Sequence, residues 1–196
     1  MPDQDPQIAE PDDVTLMQRV GAGDEAAFEI LVERHQLRVI GTITKMLGDI
    51  TTAEDLAQQV FVRVWQSAAR YQPTAKFTTW LFTITRNLVF NESRRLQRAG
   101  FVPMEHEDGT PREFHDSSAR DASEFFKEKE LQAAIDQAIA SLPEPQKVAI
   151  ILRRYEEMPY EEIAVVLKTS VSAVKSLLFR AREDLKIKLK PFLSED

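Results

Sequence analysis

The sequence predicts an all-α protein with two helical domains joined by a flexible linker. Apolar residues recur at helical spacing along most of the 196 residues, and no stretch shows the sustained alternation of a half-buried strand. Between about Gly100 and Asp121 this periodicity stops, and prolines and a glycine stand among scattered acidic residues. We place the domain boundary there, because a compact domain rarely contains so long a loop.

The composition excludes several classes of protein. An apolar content of 43% is enough to bury a core. The chain has no cysteine, which excludes disulfides and thiolate metal sites, and His35, His106 and His115 lack metal-ligand spacing, so we predict no cofactor. Residues 1–13 are predicted to be an acidic, flexible N-terminus, and they lack the basic and apolar segments of a signal peptide. We expect a cytoplasmic protein with no membrane insertion.

The net charge of -7 is unevenly distributed along the chain. Acidic residues concentrate at 3–13, 105–130 and 156–162, whereas basic residues concentrate at 86–98 and 168–190. Binding to DNA phosphates requires local Lys and Arg and not a basic total charge. The pattern therefore predicts two localised nucleic-acid contacts.

The first domain begins with two predicted helices, at 14–20 and 24–47, separated by the Gly21-Ala22-Gly23 turn. Gly48 is expected to end the second one in the left-handed conformation. A third helix is predicted to begin at Thr51, because Thr51 and Glu54 have capping-box spacing.

The two faces of this third helix differ in character. The predicted core stripe consists of Leu56, Ala57, Val60, Phe61, Val64 and Trp65. The opposite face is polar but thinly charged, and could be either solvated surface or a docking face. It carries Asp55, Gln58, Gln59, Val62 and Gln66.

A loop at 69–76 leads to a helix that begins at Phe77, is apolar on several sides and is therefore expected to be central. Its exit, with Arg94, Arg95 and Arg98, is basic and could either grip a DNA backbone or be ordinary surface charge near a helix C-terminus. Tyr71 and Phe77 could receive an unstacked base or could be core anchors.

The second domain is predicted to contain helical segments at 122–140, 148–155 and 160–167 and a long helix at 171–189. The last two, joined by the turn Lys168-Thr169-Ser170, have the geometry of a helix-turn-helix, whose second helix enters a major groove. Their inward residues are Ile163, Ala164, Leu167, Val174, Leu178, Ala181 and Leu185. The alternative is an ordinary helical hairpin with a solvated basic face.

Catalysis has little support in the sequence. The Gly21-Ala22-Gly23 segment lacks the preceding strand and the third glycine of a phosphate-binding fingerprint. The carboxylate pairs Glu156-Glu157 and Glu161-Glu162 lie at predicted helix ends, where such pairs are usually solvated. We therefore predict no active site.

Several segments together resemble one known family. They are AEDLAQQVFVRVW at 53–65, FTTWL at 77–81 with Arg86-Asn87, Arg94-Arg95, LPE at 142–144, EIA at 162–164 and VKS at 174–176. In this order and spacing the chain resembles the extracytoplasmic function (ECF) sigma factors, which belong to the sigma-70 superfamily of RNA polymerase subunits.

The resemblance implies an organisation. Residues 14–99 would be region 2, which binds core polymerase and melts the minus-10 element, and 124–190 would be region 4, which recognises the minus-35 element. Residues 100–123 would be the linker and 191–196 a C-terminal tail. The implied partners are the clamp helices of the largest polymerase subunit, the polymerase flap, promoter DNA and an anti-sigma factor. Such a protein would not itself be an enzyme.

The resemblance also assigns residues to tasks. Polymerase would be bound by Asp55, Gln58, Gln59, Val62 and Gln66. Minus-10 DNA would be bound by Tyr71, Gln72, Lys76, Asn87, Arg94 and Arg95. Minus-35 DNA would be bound by Ser172, Ala173, Lys175, Ser176, Arg180 and Arg182.

The chain departs from the family pattern at several positions. Gln59 replaces a common Glu, Ser172-Ala173 replaces a common Gly-Thr, and Leu177 replaces a common Arg. Thr83-Ile84 stands where housekeeping sigma factors carry a tryptophan pair that opens the duplex, which predicts a requirement for a near-consensus promoter. Promoter specificity cannot be transferred from relatives.

Two other classes compete with this interpretation. A repressor or activator would use the same helix-turn-helix but would bind symmetric duplex sites alone, as a dimer. A nucleic-acid-modifying enzyme would need a metal or nucleophile constellation, and the sequence shows none.

Overall fold

The computed structural model describes residues 11–99 and 119–193, with side chains in the second range from residue 129 onward. These residues form α-helices and one 3-10 turn, Ala68–Arg70, without a strand. The all-α prediction is confirmed. The helices are α1 (Asp13–Gly21), α2 (Glu25–Leu47), α3 (Ile50–Ser67), α4 (Phe77–Arg98), α5 (Ala119–Ala140), α6 (Glu144–Arg154), α7 (Tyr160–Leu167) and α8 (Val171–Leu193).

Aspartates cap the first three helices. The Asp24 carboxylate accepts a hydrogen bond from the amide of Ala27, and these bonds to the helix N-terminus hold the pKa of Asp24 below its usual value. At α3 the predicted capping box is wrong. The capping residue lies two positions earlier than expected, because the Asp49 carboxylate accepts from the amide of Thr52 at 2.8 Å. Thr51 therefore lies inside the first turn.

The acidic N-terminal segment contributes to the fold at its end. Asp12 caps α1, and the Asp13 carboxylate lies 2.8 Å from Nε2 of His35 and 3.2 Å from Nη1 of Arg34 on α2. Burial lowers the pKa of the His35 imidazole, against the opposing effect of Asp13. The expected flexible N-terminus of 1–13 is thus wrong at Asp12 and Asp13, and 1–10 lies outside the described residues.

Helices α1 to α4 share one core, in which α4 packs against α2 and α3, and α4 also contacts α7, so it is covered on several sides as its apolar pattern predicts. Phe77, Leu81 and Phe82 of α4 are buried against the stripe that α3 presents. Trp65 is the exception in that predicted stripe. Trp65 is 37% exposed, and its ring lies edge-on to the ring of Phe28, with the two centroids 5.1 Å apart. The expectation that Trp65 is core is therefore wrong.

Helices α6, α7 and α8 pack around a second set of buried residues that includes Ile151, Ile163 and Leu178. α5 begins at Ala119, before the predicted residue 122, since the preceding alanine and arginine are good helix formers. α8 runs through Pro191 to Leu193 and not to 189. Basic side chains near its C-terminus favour this extension, although Pro191 cannot donate the backbone hydrogen bond that would stabilise this turn.

The two helical groups pack against each other. α2 contacts α5 and α6, and α4 contacts α7, so that the buried apolar side chains form one continuous cluster. The predicted linker between the groups falls largely on 100–118, outside the described residues. None of the described helices is long and apolar enough to cross a bilayer.

We predict opposite effects for two glycine-to-alanine substitutions. A Cβ at Gly21 would lie 2.9 Å from the backbone oxygen of Ala68, so Gly21→Ala should destabilise the fold by about 1–3 kcal/mol through overpacking. A Cβ at Gly41, inside α2, would meet nothing within 4 Å, so Gly41→Ala should stabilise it by about 0.5–1 kcal/mol. Urea unfolding followed by tryptophan fluorescence measures both, and equal stability of the two variants would contradict the close approach at Gly21.

Candidate docking and nucleic-acid surfaces

An apolar groove of about 580 Å³ lies between α2 and α3. It is lined by Phe28, Val32, Gln36, Ile40, Glu54, Ala57, Gln58, Phe61, Val62, Trp65 and Gln66. Val62 is 54% exposed and Trp65 37%, so large apolar groups face solvent side by side. Contiguous exposed apolar surface of this kind, rimmed by polar groups, typically marks a protein-interaction site. We call this surface the α2–α3 groove.

The structure brings part of the predicted docking set into this groove. Asp55, Gln58, Gln59, Val62 and Gln66 are all exposed. Three of them, Gln58, Val62 and Gln66, line the groove, whereas Asp55 and Gln59 do not.

The sequence interpretation missed two contributions to the groove. Trp65 was assigned to the core, and the contribution of α2 was overlooked. Phe28, Val32 and Ile40 recur at multiples of four residues along α2, and this spacing is the signal that could have identified its second apolar face.

The loop before α4 presents a mixed surface. Gln72 and Lys76 are exposed, whereas Tyr71 is half-buried, with its ring 5.0 Å from that of Trp80. Burial raises the pKa of the Tyr71 phenol, and the carboxylates of Asp13 and Asp12 add to this effect, so the hydroxyl remains a donor at neutral pH. Phe77 is 3% exposed, which confirms that it is a core anchor.

The basic exit of α4 is organised around an aromatic ring and a carboxylate. Arg86 and Arg94 both lie over the ring of Phe90, at 5.1 and 5.2 Å from its centroid. The two oxygens of Glu92 accept hydrogen bonds from Arg95 at 2.6 and 2.8 Å. The half-buried Asn87 accepts from Arg86 at 3.2 Å. Arg94 and Arg95 remain exposed, and Glu92 partly neutralises Arg95.

The helix-turn-helix is formed as predicted. α7 ends at Leu167, and the next residue, Lys168, adopts the left-handed conformation with φ 53°. The Ser170 hydroxyl accepts from the amide of Ala173 at 3.2 Å at the start of α8. The inward residues Ile163, Val174 and Ala181 are fully buried. The predicted outward residues are exposed apart from the half-buried Ala173, and they are Ser172, Ala173, Lys175, Ser176, Arg180 and Arg182.

Phe179 is a further member of this surface that the sequence interpretation missed. It lies on α8 between the predicted contacts Ser176 and Arg180 and is 65% exposed. With Tyr160, Lys175 and Arg182 it lines a shallow open depression. An aromatic side chain exposed among cations is not explained by folding, because burying it would be favourable.

Comparison with known proteins assigns the family. Residues 31–99 match the model of sigma-70 region 2 and residues 132–185 that of sigma-70 region 4. The chain is 31% identical to the RNA polymerase sigma-H factor of Pseudomonas aeruginosa, over 96% of this chain and 99% of the relative. It is also 31% identical to the ECF RNA polymerase sigma-E factor of Escherichia coli K12, over 92% and 96%. The chain is an ECF RNA polymerase sigma factor.

Solved structures agree with this assignment. CnrH in complex with the cytosolic domain of CnrY superposes with a TM-score of 0.67, at 25% identity over 92% of this chain and 97% of that one. The sigma factor RpoE of Bartonella quintana, solved in complex with the anti-sigma factor NepR, gives 0.64 at 23% identity over 83% and 96%, which shows the shared fold. As an ECF sigma factor, the chain binds core RNA polymerase and directs promoter-specific transcription initiation.

Within residues 11–99 and 119–193, no three acidic or histidine side chains cluster as a metal site would require.

Proposed function

We propose that this sigma factor holds core polymerase through the α2–α3 groove while two separate basic surfaces bind the promoter. Its units would be residues 14–99 for polymerase binding and minus-10 melting and 124–190 for minus-35 recognition, connected by 100–123 and flanked by 1–13 and 191–196. The observation that carries the proposal is the apolar strip of Val62 and Trp65, which is left partly open to solvent by the described residues.

The groove suits a helical partner. A helix laid along α2 and α3 would bury Val62, Trp65 and Phe28, and the amides of Gln58 and Gln66 would bond its polar edge. The clamp helices of the largest polymerase subunit are the partner that we propose. Asp55 and Gln59, on the adjoining exposed side of α3, would contact them at the rim, where charges affect association rate more than affinity.

The loop 71–76 and the exit of α4 would bind the minus-10 element. An extruded base could stack against the half-buried ring of Tyr71 and bond Gln72 or Lys76, which would offset the cost of unstacking at the correct sequence. Asn87, Arg94 and Arg95 lie further along α4 and would follow the phosphate backbone. The Glu92 carboxylate accepts two hydrogen bonds from Arg95, so DNA phosphates would compete with Glu92 for this guanidinium.

Helix α8 would lie in the major groove of the minus-35 element. Arg180 can donate two bonds to one guanine, and Phe179 can contact a thymine methyl group. Lys175 and Arg182 would bind phosphates. The surface formed by Ser172, Ala173 and Ser176 would lie close to the DNA. The remainder of 124–190 would contact the polymerase flap.

We further propose that an anti-sigma factor controls the chain by covering the α2–α3 groove. The support is the groove itself, because a solvent-exposed apolar surface used by polymerase can be blocked by any helix that buries it. The chain would act in the cytoplasm, without a cofactor and without enzymatic activity, and polymerase would perform all phosphoryl transfer.

The first experiment adds purified chain to sigma-free core polymerase with genomic DNA templates. Wild-type protein should bind core and start transcripts at defined sites. Val62→Asp should weaken core binding at least about ten-fold, because it places a charge inside an apolar interface. Leu37→Asp is the matched control, since Leu37 is 78% exposed on α2 but does not line the groove, and it should bind normally.

Equal weakening by the two aspartates would contradict the groove. If the wild-type chain ignored core and bound a palindromic duplex as a dimer, the proposal would give way to a stand-alone regulator.

A second test concerns the reading surface of α8. Arg180→Ala and Phe179→Ala should each weaken apparent promoter binding by about 1–3 kcal/mol and reduce initiation accordingly. This effect should appear only at promoters that carry the matching minus-35 base. Lys188→Ala removes an exposed charge further along the same helix and should have little effect. Initiation is measured on a minus-35 promoter library. A uniform loss across the library would mean that both residues bind only phosphates.

A further inference from the structure

One residue of each carboxylate pair in the segment 156–162 points away from solvent. Glu157 and Glu161 are exposed, as expected from the sequence. Glu156 and Glu162 are not, and the expectation that both pairs are solvated is wrong for these two residues. Each of them reaches across to the other helical group, because α6 and α7 pack against α2 and α4.

Glu156 makes the more buried of these contacts. Its side chain is only 5% exposed, and its Oε2 accepts from Nε and Nη2 of Arg38 at 3.0 and 2.8 Å. Its Oε1 accepts from the hydroxyl of Thr42 at 2.6 Å. Both partners lie on α2. A carboxylate this far out of water requires these donors, and separating the two groups would rehydrate all of them together.

Glu162 makes a similar contact with the beginning of α4. Its Oε2 accepts from the hydroxyl of Thr79 at 2.8 Å, and its Oε1 lies 2.7 Å from Nζ of Lys76. Thr79 is fully buried, whereas the Lys76 side chain is 70% exposed. The bond to Thr79 is therefore the structural part of this contact. The bond to Lys76 occupies a side chain that we assign to minus-10 DNA.

A third contact lies on the same side. Nζ of Lys45 on α2 lies 4.2 Å from the ring centroid of Tyr155, which immediately precedes Glu156. These contacts leave the α2–α3 groove and the exposed face of α8 uncovered, since their lining residues are different. We call the packing of α6 and α7 against α2 and α4 the closed arrangement. It leaves both the α2–α3 groove and the exposed face of α8 open to a partner.

What the closed arrangement does prevent is simultaneous binding of both promoter elements. Elements centred about 25 base pairs apart are separated by about 85 Å of duplex, at about 3.4 Å per base pair. A compact globule of this chain length is only about 40 Å across. The two DNA-binding surfaces cannot reach both elements while α6 and α7 remain packed on α2 and α4.

We propose that Glu156 and Glu162 form an intramolecular latch that keeps the sigma factor closed, and that polymerase and promoter must open it. The inference rests on the proposed assignment of the two DNA-binding surfaces. The latch would act by setting the equilibrium between closed and open protein, because the apparent affinity for polymerase and promoter is proportional to the open fraction. Charge-assisted hydrogen bonds are suited to such a latch, since water hydrates and salt screens their charged groups once the two helical groups separate.

The test compares two double variants of equal charge. Glu156→Gln with Glu162→Gln removes the two ionic contacts and keeps side-chain shape. Glu157→Gln with Glu161→Gln makes the same change at the neighbouring exposed positions. The chain has no cysteine, so fluorophores can be placed at Glu29→Cys and Lys188→Cys, both exposed and one in each helical group. Energy transfer then reports the separation of the groups in the full chain.

We expect the latch variant to lower energy transfer in the free protein and the control variant to leave it unchanged. In initiation assays with core polymerase, the latch variant should reach half-saturation at a roughly ten-fold lower concentration, by the increase in open fraction. Glu156→Gln alone should act in the same direction, although its partners Arg38 and Thr42 lie outside the proposed DNA surface. This separates opening from the mere release of Lys76.

A charge swap provides a second variant. Glu162→Lys should lower energy transfer, and adding Lys76→Glu should restore it. Unchanged transfer in the latch variant, or increased separation without a lower half-saturating concentration, would overturn the latch. Failure of every variant, including wild type, to bind core would refute the proposed function instead, and the energy-transfer result would still decide whether the latch exists.

Discussion

The packing of α4 against α2, α3 and α7 positions the loop that precedes it and the basic exit that follows it. Its buried face, with Leu81 and Phe82, is held by α2 and α3, while its N-terminal turn contacts α7. The loop that precedes α4 and the basic exit that follows it are therefore held in a fixed relation to the α2–α3 groove. A helix that is apolar on several sides can pack in this way only if neighbours cover each side, which is why the surrounding helices are needed.

Local signals were sufficient to predict most of the helical architecture. The left-handed Gly48, the Lys168-Thr169-Ser170 turn and the buried stripe of α8 all follow from spacing and residue type within a few positions. The α3 cap shows the limit of such reasoning. Asp49 and Thr51 are both good caps, and which one is used depends on where the preceding glycine directs the chain.

Contacts between distant segments were not predictable in this way. Glu156 meets Arg38 across 118 positions, and nothing in the local pattern distinguishes it from its exposed neighbour Glu157. Trp65 has the spacing of a core residue, and it is partly exposed because none of the helices in 11–99 and 119–193 covers that edge of α3. Phe179 was missed although it is 65% exposed and its chemistry suits a DNA surface. Burial and long-range pairing are properties of the assembled fold.

The exposed strip of Val62 and Trp65 also has a consequence for the chain in the absence of any partner. A surface shaped for one helix will accept other apolar segments, including those of a second copy or of unfolded proteins, and such encounters increase with concentration. The exposed apolar groove therefore lowers the solubility of the free chain. A cell that produced it in excess over its binding partners would accumulate an aggregation-prone species, so its useful abundance has an upper limit that is set by the number of available partners.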